Sequence, residues 1–224
     1  MCNDSNVMEL LSIDVWSDVV CPFCYLGSRQ LAHALERFEH RDLVVVRHRA
    51  FELDAHAAPY YDLPLAELVA RKYQMPVERA HRLHERLEAE ARSLGMEWSI
   101  ERALPTNTFD AHRLIAAASA QGLGGQASER LFRAYFCEGA LLSDHATLNR
   151  LADEIGVHDA ERLWEGDDYC LDVRRDEEEA LELGITGVPS LLVDGKFMVV
   201  GAQGADQILS VLERSWRRRE GSVA

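Results

Sequence analysis

The chain has few cysteines, a shortage of positive charge and no long apolar run, and each of these shortages excludes a class of protein. Five cysteines scattered over 224 residues do not form the disulfide framework of a small secreted scaffold. A formal net charge of −14 argues against nucleic acid and against anionic membrane surfaces as partners. No segment is apolar for long enough to span a bilayer.

The first dozen residues also lack the features of a targeting signal. Residues 1–12 contain no basic stretch and no long apolar core, so we expect no signal peptide and a cytoplasmic protein. Glutathione keeps most thiols reduced in that compartment. The length and a hydrophobic fraction of 47% predict a sizeable folded interior. The acidic charge suits a monomer or a small homo-oligomer.

The chain begins with the pattern of a strand, a helix and a second strand. Residues 10–16 and 43–51 are apolar runs, and residues 26–38 between them repeat apolar positions with a helical period. Strands joined by one helix pair in parallel, with a right-handed connection in nearly all cases. We therefore predict a βαβ unit at the start of the chain.

Helical patterns fill the middle of the chain, and strand patterns return near its end. Residues 190–193 and 197–200 flank Asp194-Gly195, a strong hairpin turn signal, and an amphipathic helix follows. We predict an α/β fold with a large all-helical insertion. Its predicted parts are a core of residues 1–58 and 184–224, and an insertion domain of residues 59–183.

Cys21-Pro22-Phe23-Cys24 directly follows the first predicted strand. Two cysteines separated by two residues at a strand–helix junction are typical of a redox dithiol in an intracellular protein. Cys21 lies at the predicted start of the helix, where unpaired N–H groups and the helix dipole favour a thiolate. Pro22 suits the first helical position because its missing N–H is not needed there. Cys24, one turn later, should be less exposed and resolve a mixed disulfide formed by Cys21.

The same tetrapeptide could be half of a zinc site or two cysteines of the core. A zinc site needs two more ligands, and the chain has no second C-x-x-C and no H-x3-H tract. His81 and His84 lie on an Arg/Glu-rich helical segment, where a solvated face explains them better than a metal does. We expect no metal ion and no cofactor beyond the redox-active disulfide, with glutathione as a candidate co-substrate.

Three carboxylates near the dithiol are candidates for carrying the proton of the resolving thiol. Asp14 and Asp18 precede Cys21, and Glu52 ends the second predicted strand. A water-facing position at a strand end or in a turn is favoured for Asp14 and Asp18. The sequence does not choose among the three carboxylates.

Six segments carry a further pattern and are spread from residue 16 to residue 203: Trp16–Gly27, Arg49–Leu53, Asn107–Leu114, Ala134–Phe136, Gly184–Pro189 and Gly201–Gln203. Together these segments resemble the FrnE-like branch of the DsbA family. The resemblance implies a thioredoxin-like fold with a helical insertion and thiol–disulfide oxidoreductase activity. It also implies a cis-proline at Pro189, a nucleophile at Cys21 and a resolving thiol at Cys24. Some members carry a second cysteine pair in the insertion, whereas this chain offers only the distant Cys137 and Cys170.

The residues around the dithiol and the predicted cis-proline are candidates for contacting a substrate. They are Pro22, Phe23, Val188 and, from the helical block, His112. Pro189 is expected to shape the face on which a substrate sulfur docks. For His112, a position on the surface of a helix is at least as well supported as one at the edge of the cleft.

These features favour a thiol–disulfide oxidoreductase that acts on protein or small-molecule disulfides. The alternative is a glutathione-dependent isomerase of the 2-hydroxychromene-2-carboxylate isomerase type, which shares the implied architecture. Those enzymes typically carry serine at the first cysteine position, so the intact cysteine pair counts against this alternative. A non-catalytic binding module is a third hypothesis. The sequence leaves the substrate, the direction of electron flow and the redox partner open.

Overall fold

A four-stranded mixed sheet forms the core of the computed structural model, which describes residues 10–221. Its strands are β1 (Leu11–Ser17), β2 (Val44–Ala50), β3 (Ser190–Val193) and β4 (Phe197–Val200), in the order β2-β1-β3-β4. β1 and β2 are parallel, and the other two neighbouring pairs are antiparallel. The predicted α/β core is therefore confirmed, and both late strands lie at the predicted residues.

Eight helices surround and extend this sheet within the described residues. They are α1 (Pro22–Arg37), α2 (Leu65–Lys72), α3 (Val77–Ser93), α4 (Phe109–Ala120), α5 (Gly124–Glu138), α6 (His145–Ile155), α7 (Cys170–Glu182) and α8 (Ala205–Glu220). Between β2 and β3 the chain, which is described throughout that stretch, contains helices and no strand, so the all-helical insertion is confirmed. Among the described helices, none combines the length and the apolar character needed to cross a membrane.

The insertion and the start of α1 share one hydrophobic core. Tyr25, on the first turn of α1, stacks on Phe132 of α5 with ring centroids 5.0 Å apart and meets Trp98 edge-on at 5.3 Å. The two cysteines of the motif belong to the same cluster of buried residues. Burying a large side chain of this kind contributes roughly 1.5–3 kcal/mol. The helical insertion therefore determines the surroundings of the dithiol as directly as the sheet does.

An arginine on β2 fixes the last helix of the insertion against the sheet. The Arg49 guanidinium donates to Asp14 of β1 and to Asp176 of α7, each at 2.9 Å. The indole N–H of Trp16 donates to the Asp176 carbonyl, also at 2.9 Å. These bonds join the last helix of the insertion to β2 and to β1, the strand that leads into the dithiol.

Candidate active site

Cys21 is the N-cap residue of α1, directly ahead of Pro22 at the first helical position. The backbone N–H of Cys24 donates to the Cys21 carbonyl at 3.0 Å, which closes the first turn. Both thiols are free and buried, and Phe23 between them is 43% exposed. The tight helical start therefore places the two sulfurs together just under the surface, with an exposed aromatic ring beside them.

The two thiols differ in acidity. A hydrogen bond from the Cys24 thiol lowers the pKa of Cys21 below its ordinary value, and this outweighs the opposing effect of burial. Burial raises the pKa of Cys24 well above its ordinary value, and the hydrogen bond to Cys21 and the charge of Cys21 raise it further. The thiolate is the nucleophile in disulfide exchange, so this difference matches attack by Cys21 and resolution by Cys24.

We expect the alkylation of Cys21 by iodoacetamide to reach half its maximal rate below about pH 8.5, the ordinary value for a free thiol. Because the Cys24 thiol supplies the hydrogen bond that lowers the pKa of Cys21, the Cys24→Ala variant should show a higher midpoint. Cys24→Ser keeps a hydroxyl donor and serves as the matched control. The pH midpoint of its alkylation should lie between those of the wild type and of Cys24→Ala. Mass spectrometry of timed samples measures the rate, and an unchanged midpoint in Cys24→Ala would contradict the prediction.

The Val188–Pro189 peptide bond is cis, as the sequence analysis predicted. The Cys21 thiol lies 3.7 Å from the Val188 carbonyl oxygen, and Pro189 is buried behind it. The loop that precedes β3 therefore lies directly against the reactive sulfur. Pro22, Phe23 and Val188 surround that sulfur, and their role in substrate binding stays a prediction.

Gly27 allows α1 to approach this proline closely. A Cβ atom at position 27 would lie 2.9 Å from Cγ of Pro189, closer than two carbon atoms pack. We expect Gly27→Ala to destabilise the protein by about 1–3 kcal/mol, since the added methyl must displace the proline loop. Gly125→Ala is the control: it lies in the first turn of α5, and its Cβ would have ordinary contacts. Urea denaturation measures both, and an equal effect of the two substitutions would refute the steric explanation.

All three candidate carboxylates are buried, so the water-facing position favoured for Asp14 and Asp18 was wrong. Asp14 accepts a hydrogen bond from Arg49 of the neighbouring strand β2, and Glu52 forms a 2.6 Å ion pair with Arg174 of α7. Asp18 has no arginine partner among the ion pairs of the described residues. Its carboxylate accepts the backbone N–H of Leu53 at 2.8 Å, which compensates part of the cost of its burial.

Asp18 and His112 lie together behind the dithiol. His112, on α4, is 2% exposed, and its Nε2 atom lies 3.6 Å from Oδ1 of Asp18. The negative charge of Asp18 raises the pKa of both Cys21 and Cys24. The predicted substrate-binding role of His112 stays a prediction, with the side chain placed beneath the surface. Sequence spacing did not reveal this pair, because the contact depends on how the insertion folds over the core.

The remaining cysteines and histidines stand apart from this site. Cys137 and Cys170 are free and partly buried, and Cys2 lies outside the described residues. His84 is buried rather than solvated, because its helix packs that face inward. Within residues 10–221 no group of three or more histidine, cysteine or acidic side chains is placed to hold a metal ion.

Residues 12–213 match the family model of the DSBA-like thioredoxin domain. A probable DsbA oxidoreductase from Streptomyces coelicolor is 33% identical in sequence; the match covers 92% of this chain and 90% of that one, with a TM-score of 0.87. The uncharacterised protein YwbO of Bacillus subtilis is 28% identical over 199 residues, which cover 87% of this chain and 92% of that protein.

A more distant structure shares the fold. The cytosolic disulfide reductase DsbM from Pseudomonas aeruginosa is 21% identical, with a TM-score of 0.64 over 92% of this chain and 98% of its own. The family match spans the dithiol, the insertion and the cis-proline alike. The family resemblance found in the sequence is confirmed: the chain belongs to the DSBA-like thioredoxin domain family.

Proposed function

We propose that the protein is a thiol–disulfide oxidoreductase that cycles between a Cys21–Cys24 dithiol and a Cys21–Cys24 disulfide. The observation that carries this proposal is the position of two free, buried thiols in the first turn of α1, with the loop of the cis Val188–Pro189 bond against Cys21. The lowered pKa of Cys21 and the raised pKa of Cys24 support it. The lowered pKa of Cys21 favours its attack as a thiolate, whereas the raised pKa of Cys24 keeps that thiol protonated until the mixed disulfide has formed. The cis-proline loop beside Cys21 supplies a backbone carbonyl next to the reacting sulfur.

The cycle balances as a two-electron exchange. The Cys21 thiolate attacks a substrate disulfide, forms a mixed disulfide and releases one substrate thiolate. Cys24 then loses its proton and attacks the Cys21 sulfur, which closes the internal disulfide and releases the second substrate thiolate. The enzyme dithiol is oxidised and the substrate disulfide is reduced. The reverse sequence oxidises a substrate dithiol.

We propose protein or small-molecule disulfides and thiols as substrates, glutathione as a co-substrate and the cytoplasm as the working compartment. The structurally similar DsbM from Pseudomonas aeruginosa is a cytosolic disulfide reductase, and its structure has also been solved with glutathione. This similarity supports our proposal of the cytoplasm and of glutathione for this protein. No second redox pair is proposed, because Cys137 and Cys170 lie on different helices and both are free.

A glutathione redox titration tests the proposed function. The purified chain is equilibrated over a range of reduced and oxidised glutathione, its thiols are trapped, and the products are mapped by mass spectrometry. We expect one reversible two-electron transition that maps to Cys21 and Cys24. The absence of an internal disulfide at every ratio would refute the proposal.

The glutathione-dependent isomerase remains the alternative, and a variant without both motif cysteines distinguishes the two functions. An isomerase that only positions glutathione does not need a second thiol, whereas the proposed cycle requires both Cys21 and Cys24. Isomerisation of a 2-hydroxychromene-2-carboxylate that survives the Cys21→Ser, Cys24→Ser double substitution would favour the alternative. Loss of all disulfide exchange in the same variant, with no isomerase activity, favours the oxidoreductase.

A further inference from the structure

A cavity of about 370 Å³ lies on the helical insertion, and none of the residues that line it belongs to the candidate active site. Its volume is at the small end of the range for ligand pockets, which suits a molecule between an amino acid and a tripeptide in size. The lining comes from α3, from the segment that follows it and from α5. Its charged groups, its indole and its thiol belong to Glu88, Arg92, Glu97, Trp98, Arg102 and Cys137.

Hydrogen bonds hold the walls of this cavity together. The Cys137 thiol donates to the Glu97 carbonyl at 3.1 Å, and a backbone bond of 2.9 Å joins the same loop to α5. The backbone N–H of Ile100 donates to Oε1 of Glu88 at 2.7 Å. The loop after α3 is therefore bonded to α5 on one side and to α3 on the other, so the cavity is built from fixed elements.

A buried residue of the lining carries a donor without an acceptor. Trp98 is 8% exposed, and its indole N–H has no hydrogen-bond partner within residues 10–221. Contacts with Tyr25 at 5.3 Å and with Phe136 at 4.8 Å fix the plane of the ring. Because an unpaired buried donor is destabilising, the site favours a molecule that brings an acceptor oxygen into the cavity.

The two arginines of the lining are available to bind an anion. Among the described residues, neither the Arg92 nor the Arg102 side chain forms an ion pair or a hydrogen bond. Glu88 lies one turn before Arg92, a spacing at which ion pairs form, but its carboxylate accepts the Ile100 N–H instead. Acidic residues outnumber basic ones 38 to 24 in this chain, so two unpaired guanidinium groups on one cavity indicate a site for carboxylates.

One acid of the lining is also unpaired. Glu97 is exposed, and its carboxylate forms no ion pair with any residue that the structure describes. Burial raises the pKa of the Cys137 thiol, so this thiol is neutral at pH 7 and does not repel an anion. The cavity thus offers two cations and one anion to a ligand. A complementary molecule carries two negative groups and one positive group.

We propose that this cavity binds a small zwitterion that has two carboxylate groups and one ammonium group. The carboxylates bind Arg92, Arg102 and the indole N–H of Trp98, and the ammonium group binds Glu97. A free acidic amino acid and a γ-glutamyl peptide such as glutathione both carry these three groups. Binding here involves no disulfide exchange, so the inference does not depend on the proposed oxidoreductase function.

The alkylation of Cys137 by N-ethylmaleimide reports on the cavity in the unaltered chain. Mass spectrometry of digested, timed samples measures the rate at Cys137 and at Cys170 separately. The probes are L-glutamate and S-methylglutathione, which has no free thiol, each raised to about 10 mM so that even a millimolar site fills. We expect the filled site to slow the alkylation of Cys137 about tenfold. Cys170, on α7 and outside the lining, should react at an unchanged rate.

Derivatives of the protecting probe show which of its charges are bound. The N-acetyl derivative lacks the ammonium group, and the amide derivative lacks one carboxylate. Each should bind about tenfold more weakly than its parent, because each leaves a charged group of the cavity without a partner. If only one of the two probes protects Cys137, that probe identifies the source of the three groups.

Substitutions assign the contacts. Arg92→Gln and Arg102→Gln should each weaken binding about tenfold, and Trp98→Phe, which keeps a ring but loses the N–H, about threefold to fivefold. Arg86→Gln is the matched control on α3: this arginine is outside the lining, and its guanidinium donates to the Arg82 carbonyl. Arg86→Gln should bind the probe as the wild type does.

An unchanged rate at Cys137 with both probes would overturn the inference. So would equal slowing at Cys170, equal binding of the derivatives, or wild-type binding by both Arg92→Gln and Arg102→Gln. If circular dichroism shows that Trp98→Phe does not fold, the two arginine variants decide. None of these results bears on the proposed function, since the Cys21–Cys24 couple is measured separately by the glutathione redox titration.

Discussion

The Cys21→Ser variant should retain no more than about a thousandth of the wild-type rate of disulfide exchange, as expected when the nucleophile of a covalent mechanism is removed. A serine hydroxyl is not ionised at neutral pH and forms no disulfide, and Cys24 has too high a pKa to replace the lost thiolate. Colour release from an aromatic disulfide measures the rate. Substantial turnover by Cys21→Ser would show that another group is the nucleophile.

The Cys24→Ser variant should be trapped as a mixed disulfide with the substrate rather than remain unreactive. Cys24→Ser keeps the nucleophile and removes the resolving thiol, so a mixed disulfide with the substrate should accumulate to one equivalent on Cys21. Intact-mass measurement detects the added substrate fragment, and a reducing agent should remove it. If the adduct turns over as fast as in the wild type, Cys24 is not the resolving thiol.

Cys137→Ser is the control for both cysteine variants. This thiol is partly buried, its pKa is raised chiefly by burial, and it contacts the Glu97 carbonyl rather than another cysteine. We therefore expect wild-type exchange in Cys137→Ser. A loss of activity there would indicate a second redox cysteine in the insertion, contrary to the single-dithiol cycle.

The linear pattern predicted the elements that depend on local sequence. The apolar runs on either side of Asp194-Gly195 predicted the hairpin, and both turn residues have the positive φ angles that such a turn requires. Cys21 ahead of Pro22 gave the start of α1 and the position of the nucleophile at its N-cap. These features are set by neighbours within a few residues, so spacing alone is sufficient to find them.

The surroundings of the thiols could not be found in this way. Asp14 and Asp18 both looked like acids at a strand end, and their different roles depend on partners far along the chain. Arg49 reaches Asp14 because the parallel register pairs it with Trp16, close to that acid. His112 reaches Asp18 only because α4 of the insertion packs over the loop before α1. Burial of a charged residue is a tertiary property that local periodicity does not encode.

Arg113 is another residue whose importance emerges only from the folded chain. It lies on α4 next to His112, and its side chain is almost entirely buried. Its guanidinium donates to the carbonyl oxygens of Leu163, Asp168 and Gly166, in the segment that leads into α7. One side chain thus supplies hydrogen-bond donors to three backbone carbonyls.

Replacing Arg113 with alanine should destabilise the protein by about 3–5 kcal/mol, because the carbonyls lose their donors and the Asp110 carboxylate loses its cation. Arg113→Lys should recover only part of this loss, since an ammonium group cannot spread its donors in the planar fork that reaches all these oxygens. Urea denaturation, followed by circular dichroism, measures both variants against the wild type.

The control for this experiment is an arginine on the same insertion that has only a solvent-exposed ion pair. Arg133 of α5 is 67% exposed and lies 3.6 Å from Glu138, so Arg133→Ala should change stability by no more than about 1 kcal/mol. A comparable loss in the two alanine variants would mean that charge alone, rather than the bonds to the carbonyls, accounts for the effect. A loss confined to Arg113 would identify that guanidinium as the link between α4 and the segment before α7, and hence as a support for the helix that carries His112.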